Sequence, residues 1–208
     1  GNGISLSYLD EGPADAEPVL MLHGNPSWSY YWRHLVAGLS DGYRCIVPDH
    51  VGMGLSDKPA DGDYAYTLQS RVDDLGRLID SLDLKHRITL AVHDWGGMIG
   101  FAWALRNPER IARLVILNTA SFPLPKSKKL PWQIAIGRVP LLGAVLIRGF
   151  NFFARGAADL GVLRPIPPAS RRALLAPYDS WNHRRAVHRF VQDIPLRQTD
   201  AAAALVEQ

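Results

Sequence analysis

Ile88-Thr89-Leu90-Ala91-Val92-His93-Asp94-Trp95-Gly96-Gly97 is the stretch whose reading decides the architecture of this chain. Ile88 to Val92 form a compact, mostly apolar run without strict alternation, the pattern of a strand buried on both faces. From Gly97 to Arg106 the sequence reads as a helix, so Asp94 stands at the tip of a strand-turn-helix. Small residues at such a tip let the backbone bend sharply and lift one side chain into a pocket. A carboxylate in that position attacks a saturated carbon or a strained ring and forms a covalent ester, whereas a serine suits carbonyl attack. The start of the helix favours the ionised form by about 0.3–1 kcal/mol. The plainer alternative is an Asp N-cap, with the glycines kept for packing.

Working outward, Pro18–Leu22, Cys45–Pro48 and Leu114–Leu117 are further apolar runs, and alternation at Ile4, Leu6 and Tyr8 suggests a strand ending at the turn Asp10-Glu11-Gly12-Pro13. Helix-like stretches separate them: Trp28 to Leu39, Thr67 to Leu82 and Gly97 to Arg106. In the second, Thr67 is the expected N-cap, and Leu68, Val72, Leu75, Leu78, Ile79 and Leu82 fall at helical spacing. Strand and helix in alternation predict an α/β fold around a mostly parallel sheet. After Ala120 the texture changes, because most of the 15 prolines follow and clear strand runs cease. The expected organisation is a core over 1–120, a helical cap inserted over 121–197, and a return to the core starting in 198–208.

Two more motifs follow buried runs. Leu22-His23-Gly24-Asn25-Pro26 places the Asn25 amide where it would hold an anion, with the Trp95 indole N–H as a second donor. An Asn-Pro turn capping a helix at Ser27 is the alternative for Asn25 alone. Asp49-His50-Val51-Gly52-Met53-Gly54-Leu55-Ser56-Asp57-Lys58-Pro59 reads as a loop that supports the pocket without entering the chemistry. His93-Asp94 and Asp49-His50 are neighbours, yet no His pair at helical i, i+4 spacing stands near a Glu, so no metal and no cofactor are expected.

Composition narrows the function classes. The 208 residues carry Lys+Arg 23 against Asp+Glu 20, a net charge of +3, too slight an excess to argue for nucleic acid. One cysteine, Cys45, excludes an intrachain disulfide framework and a cysteine-based zinc site. No uncharged apolar stretch reaches about 18 residues, and no basic-then-apolar leader opens the chain, so the expectation is a cytoplasmic protein without a spanning helix.

The three motifs, in this order, resemble the haloalkane dehalogenase and epoxide hydrolase branch of the α/β hydrolases. Val92, two residues before Asp94, departs from the glycine usual in the wider fold. Asn25-Pro26-Ser27-Trp28-Ser29-Tyr30-Tyr31-Trp32-Arg33, Pro177-Tyr178-Asp179-Ser180-Trp181 and Phe190-Val191-Gln192-Asp193-Ile194-Pro195 are more particular. They are similar to the β-lactone decarboxylases of bacterial long-chain olefin biosynthesis, which convert cis-3,4-dialkyl β-lactones to cis-alkenes and CO2. The resemblance implies an α/β-hydrolase fold with a helical cap, Asp94 as nucleophile, the loop after Leu22 and the main-chain N–H of Trp95 as the two halves of an oxyanion hole, Asn25 and Trp95 as the anion-stabilising pair, and His23, Gly24 and Gly96 as supports. It implies a small hydrophobic substrate with long alkyl chains, and an olefin-pathway assembly or a membrane surface as larger partners. A haloalkane dehalogenase acting through an alkyl-enzyme ester is the first alternative, and a non-catalytic hydrolase-fold module another. Epoxide hydrolases protonate the ring oxygen with two cap tyrosines, whereas Tyr178 is the one tyrosine beyond Asp94.

By the same resemblance a catalytic acid and a His are due later in the chain. Asn118-Thr119-Ala120-Ser121 holds no carboxylate, and His183 and His188 fall in a basic segment that reads as a solvated helix face. The expectation is therefore a fragment lacking its last strands and without turnover. Residues 141–153 are apolar on nearly all sides, which predicts a cap helix packed on the sheet domain or, alternatively, one with a face lining an alkyl tunnel. A membrane contact flanked by Arg138, Arg148 and Arg155 is the further alternative.

Overall fold

The computed structural model describes residues 3–122 and 129–205. Residues 123–128 of the expected cap and the end of the segment 198–208 lie outside the described residues. Among the described residues five strands form one sheet in the order β1-β3-β2-β4-β5: β1 (Tyr8–Glu11), β2 (Pro18–Leu22), β3 (Arg44–Pro48), β4 (Ile88–His93) and β5 (Ile111–Leu117). Only β1, against β3, is antiparallel; the other pairings are parallel. β2 is buried throughout because its alternate residues enter two cores. Val19 and Met21 pack with Trp32 and Val36 on one face, and Leu20 and Leu22 pack with Val72, Leu75, Ile79 and Ile99 on the other. The first face is covered by α1 (Arg33–Leu39). The second is covered by α2 (Leu68–Ser81) and α3 (Trp95–Arg106). Thr67 caps α2 as its sequence predicts, accepting the Ser70 N–H at 3.3 Å.

β5 differs from the sequence reading. Leu114, Val115, Ile116 and Leu117 are partly exposed, because β5 is the sheet edge among the described residues and its faces are thinly covered. An apolar run reports the capacity to be buried, and only neighbours realise it.

The later chain is helical: α4 (Trp132–Gly137), α5 (Leu142–Ala144) running into a π-helical turn over Val145–Gly149, then α6 (Phe152–Leu160), α7 (Pro168–Leu175) and α8 (Arg185–Asp193). The single buried helix expected over 141–153 does not form. Leu141 and Asn151 both take positive φ, at 62° and 55°, and break the segment. Leu141, Leu142, Val145 and Phe150 remain exposed, while Ile147 is buried.

His183 is exposed as its sequence predicts and meets Asp179 at the surface, whereas the segment from Arg184 to His188 is a latch and not a solvated face. Arg184 donates to the carbonyls of Tyr178, Asp179, Arg148 and Gly149, Arg185 donates to Pro59 O at 2.6 Å, and the buried His188 ring contacts Gly137 O. A run of arginines reads as solvated until the tertiary fold supplies free carbonyls for it. Arg71 of α2 meets Asp193 of α8 at 3.2 Å, with the Arg71 guanidinium 3.7 Å above the Phe190 ring. None of the described helices is long and apolar enough to cross a membrane.

Candidate active site

β2 and β4 lie side by side at the middle of the sheet, and the connections from their carboxyl ends lead to opposite faces. Open α/β sheets bind ligands in the crevice formed at such a point. There β4 ends in Asp94, with φ 51° and ψ −127°, and α3 begins at the next residue. A non-glycine residue in this conformation costs about 1–3 kcal/mol and persists only where its surroundings impose it. The Asp94 carbonyl accepts from the Gly97 N–H at 2.9 Å and from the Thr119 hydroxyl at 2.5 Å. A Cβ on Gly96 would strike the Leu22 carbonyl, and one on Gly24 would enter the Asp94 carboxyl group. The turn is thus as close to β2 as backbone permits, and both positions require glycine.

The Asp94 side chain makes no cap bond to its own helix, contrary to the plainer alternative for this residue. Its Oδ1 accepts the Asn25 N–H at 2.7 Å. The carboxyl group faces a cavity of about 450 Å³. Asn25, Tyr31, Arg33, His93 and Asn118 line the polar end with it. The apolar wall comes from Ala154, Ala157 and Ala158 of α6, Val162 and Ile166 beyond it, and Leu174 and Leu175 of α7. The wall is therefore the helix pair that follows residues 141–151, because Asn151 redirects the chain before α6.

Not every expected site residue reaches this cavity. Asn25 does, and its Nδ2 also donates to Val187 O of α8 at 3.1 Å, while Oδ1 is buried without a partner among the described residues. Trp95 does not line it; its ring packs against Phe190 at 5.1 Å between centroids. His23 is wholly buried beneath the loop: its Nδ1 donates to Gly24 O at 2.9 Å and its Nε2 accepts the His50 N–H at 3.2 Å. Asp49 braces the third loop, accepting the N–H groups of Ser29 at 2.6 Å and Leu55 at 2.8 Å. Tyr178 is buried and does not line the cavity, and its hydroxyl donates to Ser27 O at 2.9 Å. Among the described residues no three His, Cys, Asp or Glu stand close enough together to hold a metal.

Burial pushes the His23 ring below the usual histidine range, and pushes His50 well below it. Above about pH 6.5 both folded and unfolded chains carry these rings neutral, and the full stability is present. As the pH falls below that, the unfolded chain takes up protons that the native rings refuse. Each histidine then removes up to about 1.4 kcal/mol per pH unit. The urea midpoint is therefore expected to fall between about pH 7.5 and pH 5.5, and to fall less in His50→Gln.

Sequence reasoning passed over Tyr31, His93 and Asn118 as cavity residues. The available signal was positional, since each follows or lies near the carboxyl end of a strand. Tyr31 was visible only inside the longer run Asn25 to Arg33.

A carboxylate presented on a strained turn between a buried parallel strand and a helix, beneath a helical layer, is the nucleophile-elbow arrangement of one fold class. A family model described as the alpha/beta hydrolase fold matches residues 17–152, and the chain belongs to that family. Over 211 residues it is 63% identical to the cis-3-alkyl-4-alkyloxetan-2-one decarboxylase of Xanthomonas campestris pv. campestris, covering 99% of this chain and 70% of that one. The decarboxylase of the same name from Shewanella oneidensis is 56% identical over 206 residues, covering 99% of this chain and 64% of the relative. Among solved structures, haloalkane dehalogenase DatA from Agrobacterium tumefaciens C58 superposes with a TM-score of 0.88 at 28% identity, over 99% of this chain and 70% of that one. The dehalogenase is the more distant likeness, and the chain spans about two-thirds of the length of these proteins.

Proposed function

We propose that this site decarboxylates cis-3-alkyl-4-alkyloxetan-2-ones, with Asp94 as the nucleophile. The observation that carries the reading is the Asp94 carboxylate, held by the Asn25 N–H at 2.7 Å at the polar end of a cavity with an apolar opposite wall. In this reading an Asp94 oxygen bonds to the tetrahedral ring carbon that bears the ring oxygen, with inversion. The ring C–O bond breaks and its electron pair leaves on a free carboxylate. That carboxylate departs as CO2, the released pair forms the C=C bond, and the ester C–O bond returns its electrons to Asp94. Inversion followed by anti loss converts a cis ring into a cis-alkene, and no water is consumed. Asn25 and the Trp95 main-chain N–H are the donors assigned to the developing anion, since the Trp95 ring packs on Phe190, with His23, Gly24 and Gly96 holding the loop geometry.

We assign residues 1–120 to the core, 121–197 to the cap and 198–208 to the return. The cap then selects small hydrophobic substrates with long alkyl chains. In the same proposal the protein acts in the cytoplasm, beside other olefin-pathway enzymes or at a membrane surface that dissolves its substrate. Ala157→Phe fills part of the wall. Excluding four methylenes removes about 3 kcal/mol of binding energy, so kcat/KM for a long-chain lactone is expected to fall about 100-fold while a short-chain lactone is little affected.

The likeness to dehalogenases favours a second reading, in which the same carboxylate displaces halide and water cleaves the ester. Incubation of the full-length protein with a cis-dialkyl β-lactone and, separately, with a 1-bromoalkane decides between them. Alkene and CO2 from the lactone support the first reading; bromide release without alkene supports the second. An unmodified intact mass and no product from either compound, in folded protein, overturns Asp94 as nucleophile.

A further inference from the structure

We infer that the Tyr31 hydroxyl is a further hydrogen-bond donor to the substrate, binding the oxygen that gains charge as the ring opens. The inference rests on Asp94 being the nucleophile and adds a residue to that site. Tyr31 lines the cavity that holds Asp94. Its ring stacks on His93 at 4.8 Å between centroids with planes 18° apart, and meets Trp32 edge-on at 5.2 Å. These contacts on two sides fix the phenol without using its hydroxyl, which has no hydrogen-bond partner among the described residues.

Two of the other donors of the polar end, Asn25 and Arg33, are more committed. The Asn25 N–H is taken by Asp94 itself, and the Asn25 amide donates to Val187 O. Arg33 donates to Tyr30 O at 3.1 Å and lies 4.3 Å over the Tyr30 ring. A fixed phenol left unpaired beside the reacting carboxylate costs no reorganisation when charge develops, and this makes a donor effective. Burial and the Asp94 carboxylate both push its ionisation upward, so it stays an O–H. It keeps its proton throughout: the departing carboxylate is far less basic than a phenolate, and the bond is a donated hydrogen bond only.

Three forms of the full-length protein test this with the lactone as substrate. Tyr31→Phe keeps the stacking on His93 and is expected to lose about 100-fold in kcat with KM changed less than about threefold. A ring-fluorinated tyrosine at position 31, whose phenol ionises at lower pH, is expected to lose activity as the pH rises through that lowered value, while the parent does not. A merely structural ring would not produce that pH dependence. Tyr31→Phe within about twofold of the parent, with Asp94→Asn inactive, overturns the role of Tyr31 and leaves the nucleophile standing. Equal activity in Asp94→Asn and the parent overturns the nucleophile reading and this inference with it.

Discussion

Asp94→Asn is expected to abolish lactone consumption, by about 10⁴-fold or more, while leaving the fold intact. The substitution is chosen because it separates chemistry from structure. Asparagine tolerates the positive φ of 51° at this turn and keeps an oxygen in the place of Oδ1, so the N–H of Asn25 retains its acceptor at 2.7 Å. The Thr119 and Gly97 bonds go to the backbone carbonyl of residue 94 and are untouched. What is lost is the negative charge that forms the ester. An amide oxygen is too poor a nucleophile to replace it. Intact-mass analysis with either substrate should show no adduct, and the thermal midpoint should shift by no more than about 2 °C. A large drop in midpoint would instead mean that the charge itself holds the loop after β2.

Asp193→Ala is expected to destabilise the protein by about 3–5 kcal/mol, read as a lower urea midpoint. The Arg71 side chain is 0% exposed, and Asp193 is 22% exposed. Burial lowers the Arg71 pKa and raises that of Asp193 in spite of the pairing, so desolvation outweighs attraction on both sides. Arg71 Nε and Nη2 already lack partners among the described residues, and Asp193 also accepts the Leu68 N–H at 2.7 Å. Removing the carboxylate leaves a buried cation and an open helix end together. The double variant Asp193→Ala with Arg71→Met is expected to regain part of the loss, because the charge goes with its partner. Should the single variant cost less than about 1 kcal/mol, the guanidinium must be satisfied by solvent. Beyond stability, the pair fixes α8, which carries the Val187 carbonyl that holds Asn25 and the Phe190 ring against Trp95.

Much of this molecule is visible in the order of its residues. Burial on both faces makes β2, β3 and β4 apolar runs, and a one-sided face spaces Leu68, Val72, Leu75 and Ile79 along α2, so local pattern suffices to place the sheet and its main helices. The turn at Asp94 was legible for a similar reason: only small residues permit the bend, and they are written beside it. The wall of the cavity was not. Residues 141–153 look like one buried helix, yet Asn151 in a left-handed conformation turns the chain, and the Ala residues of α6 line the cavity of Asp94 instead.

The chain order alone determined that a carboxylate would stand at a strand-helix turn in an α/β sheet, because periodicity, glycine spacing and charge are local properties. Only the tertiary structure decided what surrounds that carboxylate. It set Tyr31 on His93, turned Asn25 toward α8, put Trp95 behind the cavity lining, and spent Arg184 and Arg185 on main-chain carbonyls. Those outcomes depend on contacts between residues tens of positions apart, where each side chain takes the partner that packing leaves free, and no local pattern records that choice.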